Sequence, residues 1–129
     1  MKKIVKTGKA PAAIGAYSQG VIAKRNGLLF TAGQIPLIPD TGEIVEGGIE
    51  EQTGQAMRNL REVVRAAGGS MADVVKVTIF LNDMNLFQQV NKVYASFFTE
   101  SPPARSVIEA AGLPKQVMIE VECIAEIRT

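Results

Sequence analysis

A strict alternation of apolar and other residues near the end of the chain limits the possible folds more than any other feature. Residues of one parity are apolar: Val117, Ile119, Val121, Cys123, Ala125 and Ile127. The residues between them are Met118, Glu120, Glu122, Ile124 and Glu126. Since successive side chains of a strand lie on opposite faces, the pattern predicts a strand over residues 117–127 with one buried face. Met118 and Ile124 on the other face indicate cover by a second subunit, although isolated apolar residues are also common on surfaces.

Two earlier segments have the spacing of amphipathic helices. The first is predicted over residues 49–67 and ends at Gly68-Gly69, a common helix terminator. The second is predicted over residues 86–98, and Asp83 is a candidate N-cap just before it. Between them, a run rich in β-branched residues predicts a central strand over residues 74–81.

Short apolar runs separated by turn residues make up the remaining chain. Strands are predicted over residues 3–6, 18–24, 28–32 and 105–110, and Asn26-Gly27 marks a hairpin between the second and third of them. The order strand, strand, strand, helix, strand, helix, strand, strand predicts a two-layer α+β domain, with about six strands and two helices on one face. With 129 residues, the chain is expected to form one domain over residues 1–129.

Charge and cysteine content restrict the partners and the compartment. The net charge of +1 provides no broad basic surface, which argues against nucleic acid as a partner. The chain has one cysteine, so no internal disulfide forms, and it has no apolar run near the ~18 residues that span a bilayer. We therefore expect a cytoplasmic protein without a membrane segment.

The chain contains no histidine. This excludes catalytic triads that use histidine and removes the commonest metal ligand, so we expect no metal site. A site in this chain has to use arginine, lysine, carboxylates, tyrosine, amides, backbone groups and water. Such groups can orient a water toward a carbon that is already electrophilic, but they are poorly suited to amide hydrolysis.

Two charged residues are candidates for such a site. Arg105 lies where the extended Pro102-Pro103 link becomes a strand, and its guanidinium fork matches a carboxylate. From spacing alone, a solvated surface arginine is equally compatible. Glu120 lies among apolar neighbours in the last strand and could activate a water, although the pattern alone favours a surface carboxylate.

Four uncharged residues complete the set of candidates. Tyr17, in a loop of small residues, could bound a pocket or simply pack on its own domain. Gly33 ends a strand and permits close approach of a ligand, which is a weak signal. Asn91 lies beside the apolar stripe of the second helix, where an exposed asparagine is the simpler interpretation. Cys123 is interpreted as a buried structural thiol.

At these residues the chain resembles the RidA/YjgF family of reactive-intermediate deaminases, also called L-PSP endoribonuclease-like proteins, over nearly its whole length. Matching stretches are Thr31-Ala32-Gly33-Gln34-Ile35-Pro36, Pro103-Ala104-Arg105-Ser106 and Ile119-Glu120-Val121-Glu122. Further matches lie at residues 10–20, 51–53, 59–60, 75–81, 90–91, 94, 97–98 and 113–115. Their order and spacing make the resemblance specific.

The resemblance implies a mixed sheet with a chorismate-mutase-like arrangement, assembled as a homotrimer with a ligand site in each cleft between subunits. It implies hydrolysis of enamines and imines such as 2-aminoacrylate and 2-aminocrotonate to 2-keto acids and ammonia, without a cofactor. By position, Arg105 binds the substrate carboxylate and Glu120 positions the water. Tyr17 and Asn91 close the pocket, at least one of them from the neighbouring subunit, and Gly33 lies against the ligand.

Two positions depart from the family pattern. Val107 occupies a position at which many members have cysteine and which the resemblance implies contacts the substrate, and Ala32 replaces a common serine. These departures make a second hypothesis more plausible, namely a regulatory module that binds a small carboxylate metabolite without turnover. A third hypothesis, an endoribonuclease, is less consistent with the net charge and the lack of histidine, because Lys2, Lys3, Lys6 and Lys9 are the only basic cluster.

Overall fold

The computed structural model describes residues 1–128 and confirms the predicted order of elements. Within these residues the strands and α-helices are β1 (Lys2–Val5), β2 (Gly20–Ala23), β3 (Leu28–Thr31), α1 (Ile49–Ala66), β4 (Val74–Leu81), α2 (Phe87–Ala95), β5 (Ala104–Glu109) and β6 (Ile119–Glu126). Short 3-10 helices at Met71–Asp73, Met84–Leu86 and Pro114–Gln116 precede β4, α2 and β6.

The six strands form one mixed sheet in the order β1-β2-β3-β6-β4-β5. Neighbouring strands are antiparallel except β4 and β5, which are parallel. A parallel pair needs a long crossover, and the segment that contains α2 supplies it. The last strand in sequence therefore lies inside the sheet, and β5 lies at one edge.

Both helices cover the same face of the sheet, as predicted. The apolar parity of β6 is buried there, with Ile119, Val121 and Ala125 fully inaccessible to solvent. The stripe of α1 that packs on the sheet is also fully buried; it comprises Ala56, Met57, Leu60, Val63 and Val64. We call the opposite side of the sheet the open face, because no helix within residues 1–128 covers it. Phe30 and Ile108 on this face are 45% and 46% exposed.

The second helix is shorter than predicted. It ends at Ala95, because the Ser96 hydroxyl donates a hydrogen bond to the Val93 carbonyl at 2.6 Å and competes with continued helical bonding. Phe97 and Phe98 follow in a tighter turn, yet both still pack against the core. At the other end Asp83 is confirmed as a cap, since its carboxylate accepts a bond from the Asn85 amide at 2.9 Å.

The first helix agrees closely with the prediction. It begins at Ile49, where Glu51 accepts a hydrogen bond from the Gly48 amide at 2.8 Å. It ends one residue earlier than predicted, and Gly68 then adopts a φ of +95°, a conformation that favours glycine. Neither helix meets the requirements for crossing a bilayer, and this holds throughout residues 1–128.

Candidate active site

Arg105 lies on edge strand β5 beneath helix α2. One of its terminal nitrogens (Nη1) donates a hydrogen bond to Asn91 Oδ1 at 2.7 Å. The guanidinium carbon lies 5.3 Å from the ring centroid of Phe87 and 4.9 Å from that of Tyr94. These four residues form the arginine cluster: Phe87, Asn91, Tyr94 and Arg105. The cluster holds a half-buried guanidinium against one amide and two aromatic rings.

The positive charge of Arg105 has no protein counter-ion within the described residues. None of the ion pairs formed by residues 1–128 includes Arg105. Asn91 takes only one of the five N–H donors of the guanidinium. The remaining donors can bind a carboxylate through two parallel charge-assisted bonds. Within residues 1–128, Arg105 is thus not part of a structural salt bridge, and its free donors could bind an anion.

Val107 lies two residues after Arg105 on the same face of β5. It borders a groove of about 470 Å³ lined by Met84, Asn85, Phe87, Gln88 and Val107. Because Phe87 belongs both to this groove and to the arginine cluster, Val107 lies next to that cluster. A valine here makes the groove wall apolar and provides no thiol.

Glu120 lies on the open face of the sheet, packed against Gly33. A Cβ atom at position 33 would overlap the Glu120 carboxylate, so this packing requires glycine. Backbone hydrogen bonds between Gln34 and Val121, at 2.7 and 3.0 Å, hold the two segments together. Gly33 therefore makes room for the carboxylate of Glu120, a role that the sequence did not indicate.

Burial raises the pKa of Glu120 above its ordinary value of 4.5, and the neighbouring charge of Glu122 raises it further. Removing a carboxylate from water disfavours its charged form. A raised pKa makes the ionised carboxylate more basic than that of an ordinary glutamate, so it accepts a proton from a water more readily.

Glu120 and Gly33 face a cavity of about 680 Å³ that also includes Tyr17. We call it the glutamate cavity. Its other walls are mainly apolar and include Pro11, Ile14, Ile35, Leu37 and Pro114. Tyr17 is 50% exposed near the end of the loop between β1 and β2, and the buried Gln19 side chain fixes the base of that loop through bonds to Thr7, Ala10 and Pro11. The carboxylate thus lies in an apolar, partly enclosed environment.

The arginine cluster and the glutamate cavity lie on opposite faces of the sheet. Arg105 pairs with Val77, and Val77 pairs with Cys123 on the helix-covered face. Glu120 is three residues from Cys123 along β6, so it has the opposite orientation. Three residues correspond to about 10 Å along the strand, and two strand spacings to about 10 Å across the sheet. The Cα atoms of Arg105 and Glu120 are therefore about 14 Å apart.

The structure therefore divides the predicted site residues into two groups. Asn91, Arg105 and Val107 lie together, and Tyr17, Gly33 and Glu120 lie together. Tyr17 and Asn91, which we predicted to close one pocket, are in different groups within one chain. We call these two groups of residues, which are separate within a single chain, the half-sites.

Two residues of the arginine cluster were not predicted as site residues. These are Phe87 and Tyr94; position 94 matches the family pattern, but neither residue was assigned a role in a site. Their spacing from Asn91, four residues before and three residues after, places all three on one helix face. The signal was present in the sequence, but only the packing of α2 on β5 shows that this face meets Arg105.

Cys123 is buried as predicted, and no metal-binding cluster occurs in the part of the chain that the structure describes. Burial raises the pKa of the Cys123 thiol to about 12. A thiol of this kind is not a nucleophile at neutral pH. Among residues 1–128, no three histidine, cysteine or carboxylate side chains lie close enough to hold a metal ion.

Comparison with known proteins identifies the family to which this fold belongs. The model of the endoribonuclease L-PSP family matches residues 7–127. A RutC family protein of Pyrococcus horikoshii is 51% identical over 97% of this chain and 98% of its own length. The 2-iminobutanoate/2-iminopropanoate deaminase of Rattus norvegicus is 45% identical over 97% of this chain and 90% of its own.

Among solved structures, E. coli TdcF with bound serine superimposes with a TM-score of 0.91 at 42% identity, covering 98% of this chain and 99% of the other. The α+β fold shared with these relatives defines the class of protein. The chain belongs to the endoribonuclease L-PSP family, which is the RidA/YjgF family that its sequence resembles.

Proposed function

We propose that this protein hydrolyses reactive enamine and imine intermediates, of the 2-aminoacrylate and 2-aminocrotonate type, to 2-keto acids and ammonia. The observation that carries the proposal is the pair of half-sites. One presents a guanidinium that has no counter-ion within residues 1–128, and the other presents a carboxylate of raised pKa in an apolar cavity. A relative that is 45% identical is named for this reaction, which supports the proposal.

In the proposed reaction, Arg105 binds the substrate carboxylate through its free donors, while Asn91 holds one edge of the guanidinium. The enamine first takes a proton on carbon to become the imine. Glu120 then accepts a proton from a water as that water attacks the imine carbon. The resulting carbinolamine loses its C–N bond when a proton passes to nitrogen, and the products are ammonia and a 2-keto acid. This scheme uses no cofactor.

The remaining site residues have supporting roles in this proposal. Tyr17 bounds the glutamate cavity and provides one phenolic hydroxyl at its rim. Gly33 leaves space for the carboxylate and for the ligand beside it. Val107 contacts the side chain of the substrate from the groove next to Arg105. These groups orient the substrate and the water, and an imine requires little more.

We further propose that the half-sites meet between subunits of a homotrimer. Because they lie on opposite faces of one sheet, the arginine cluster of one chain can meet the glutamate cavity only of another chain. A head-to-tail contact of this type closes into a ring when the rotation permits. The open face carries apolar side chains that assembly would bury, namely Phe30, Phe80, Ile108 and Ile124. Met118, which the sequence placed on this face, packs against the core instead. Light scattering that gives only the 13.8 kDa monomer would contradict the trimer.

The reaction is tested by generating 2-aminocrotonate with threonine dehydratase and following the release of 2-oxobutanoate. We expect this protein to accelerate release, and an Arg105→Ala variant at the same concentration to leave the rate at the uncatalysed level. An unchanged rate with the wild-type protein would contradict the deaminase.

A second function, a metabolite-binding module, is favoured by one observation, the apolar Val107 next to Arg105. This module would use the same guanidinium. Isothermal titration with 2-oxobutanoate distinguishes the two functions, because the module binds the ligand in an Arg105-dependent manner without any turnover.

Single-stranded RNA in parallel reactions tests the ribonuclease hypothesis, for which Arg105-dependent cleavage is required.

A further inference from the structure

We propose that Phe87 and Tyr94 are positioning residues that fix the plane of the Arg105 guanidinium without neutralising its charge. This inference rests on the proposed function of Arg105 as the carboxylate anchor, and it concerns how the protein keeps that anchor available. Three contacts carry it: the two ring distances and the hydrogen bond to Asn91.

The distances place both rings within the range of cation–π attraction. The guanidinium carbon is 4.9 Å from the Tyr94 centroid and 5.3 Å from the Phe87 centroid, and the effective limit is about 6 Å. An aromatic face attracts the cation electrostatically and does not accept its in-plane N–H donors. With Asn91 fixing one edge, the remaining in-plane donors stay free for a ligand.

The choice of aromatic rings has a chemical reason. A half-buried arginine is usually stabilised by a carboxylate, but such a partner would occupy the donors and cancel the charge needed for the substrate. In this chain the ion pairs of residues 1–128 all exclude Arg105. The two rings offset part of the desolvation of the cation and leave its charge available.

The hydroxyl of Tyr94 indicates that the ring, rather than the polar group, matters at this position. Tyr94 is 4% exposed, and its hydroxyl has no hydrogen-bond partner within the described residues. An unpaired buried hydroxyl is unfavourable for stability. Phenylalanine at this position should therefore be able to keep the ring face without that disadvantage.

The chain offers a matched control for loss of an aromatic ring. Phe97 lies in the same region, packs against the core and has its ring 5.5 Å from the guanidinium carbon of Arg61. It forms the same type of pair as Phe87, but Arg61 does not belong to either half-site. Phe97→Leu therefore reproduces the loss of a ring and of core packing without affecting the proposed anchor.

The experiment measures kcat, KM and thermal unfolding for Phe87→Leu, Tyr94→Leu, Tyr94→Phe and Phe97→Leu with 2-iminobutanoate as substrate. We expect KM to rise about tenfold in the first two variants. Their kcat is expected to stay within about twofold, because the lost interaction is made equally in the ground and transition states. Tyr94→Phe should restore the KM lost in Tyr94→Leu, and Phe97→Leu should keep the wild-type KM.

Competition by 2-oxobutanoate and by its neutral amide provides a readout that a purely structural role would not change. Loss of the positioning rings should weaken inhibition by the acid about tenfold and inhibition by the amide much less. Wild-type KM and wild-type preference for the acid in folded Phe87→Leu would overturn the inference. So would an equal rise of KM in Phe97→Leu.

Failure of the proposed function gives a different result. If the wild-type protein binds 2-oxobutanoate through Arg105 but does not turn over imines, the deaminase is wrong, and the affinities of the same variants for 2-oxobutanoate still test the positioning rings. If the wild-type protein neither binds the acid nor hydrolyses the imine, both proposals are overturned.

Discussion

The Arg105 guanidinium and the Glu120 carboxylate project from opposite faces of one sheet, separated by two strand spacings and three residues along β6. The alternation of side chains along a strand prevents them from converging within a subunit. The groups proposed to hold the substrate and to activate the water therefore act together only if two chains contribute to one site.

Removal of the guanidinium should abolish productive binding without unfolding the protein. We expect Arg105→Ala to raise KM by about 100-fold, the effect of losing charge-assisted bonds worth about 3 kcal/mol. Arg105→Lys should recover little, since an ammonium cannot form two parallel bonds to a carboxylate. Steady-state kinetics together with the melting temperature check this. A lysine variant with wild-type KM would show that charge alone is sufficient.

Replacement of Glu120 should separate activity from stability. Glu120→Gln is expected to lower kcat by about 100-fold or more, the usual contribution of a general base. The variant should also be more stable than the wild type at neutral pH, because it removes a charge that burial disfavours. A melting temperature at pH 7 below that of the wild type would contradict the burial of this charge.

The pH dependence of that stability follows from the raised pKa of Glu120. The folded protein holds the proton more tightly than the unfolded chain, so the wild type loses stability as the pH rises through the folded pKa. The stability gained by Glu120→Gln should therefore disappear as the pH falls below the ordinary value of 4.5. Thermal unfolding from pH 3.5 to pH 7.5 measures the difference, and a constant gain over this range would argue against the raised pKa.

Gly33→Ala tests whether the close packing of Gly33 on the Glu120 carboxylate matters for activity. The new methyl group would occupy the position of the Glu120 carboxylate and displace it. We expect kcat to fall about tenfold or more with little change in melting temperature, since a small displacement of a base has a large effect on rate. Gly8→Ala is the matched control, because a Cβ there meets only open space. Equal activities for the two variants would contradict the packing of Glu120 on Gly33.

The buried thiol should be chemically inert in the folded protein. Burial raises the pKa of Cys123 to about 12, and its side chain is almost inaccessible. We expect no reaction with a thiol reagent at pH 7.5 in native buffer, and stoichiometric reaction in denaturant. Rapid labelling of the native protein would show that strand β6 opens locally or that the thiol is less buried than described.

The sequence predicted the elements well where local patterns decide the structure. The alternation over residues 117–127 predicted the buried face of β6, and helix α1 was predicted to within one residue. The end of helix α2 was wrong by three residues, because the hydroxyl of Ser96 competes for a carbonyl that the apolar stripe does not reveal. A periodic pattern gives no information about such a local bond.

The division of the site could not be predicted, because it depends on contacts between distant segments. Spacing gave no means of orienting Arg105 relative to Glu120, since their relation depends on the register of β5 on β4 and of β4 on β6. The same holds for Phe87 and Tyr94, which become site residues only when α2 packs over β5. Residue types were visible in the sequence, but their partners were not.

Subunit complementation tests the composite site most directly. Arg105→Ala and Glu120→Gln chains carrying different tags are co-expressed, and the mixed oligomers are purified and assayed with 2-aminocrotonate. If Arg105 and Glu120 come from different chains, each purified mixed trimer restores about a third of the wild-type activity, because one of its three sites receives both intact residues. The matched control co-expresses the Arg105→Ala, Glu120→Gln double variant with Glu120→Gln chains and should stay inactive. Activity of the mixed oligomers no higher than that of the two parent variants would contradict a site shared between subunits.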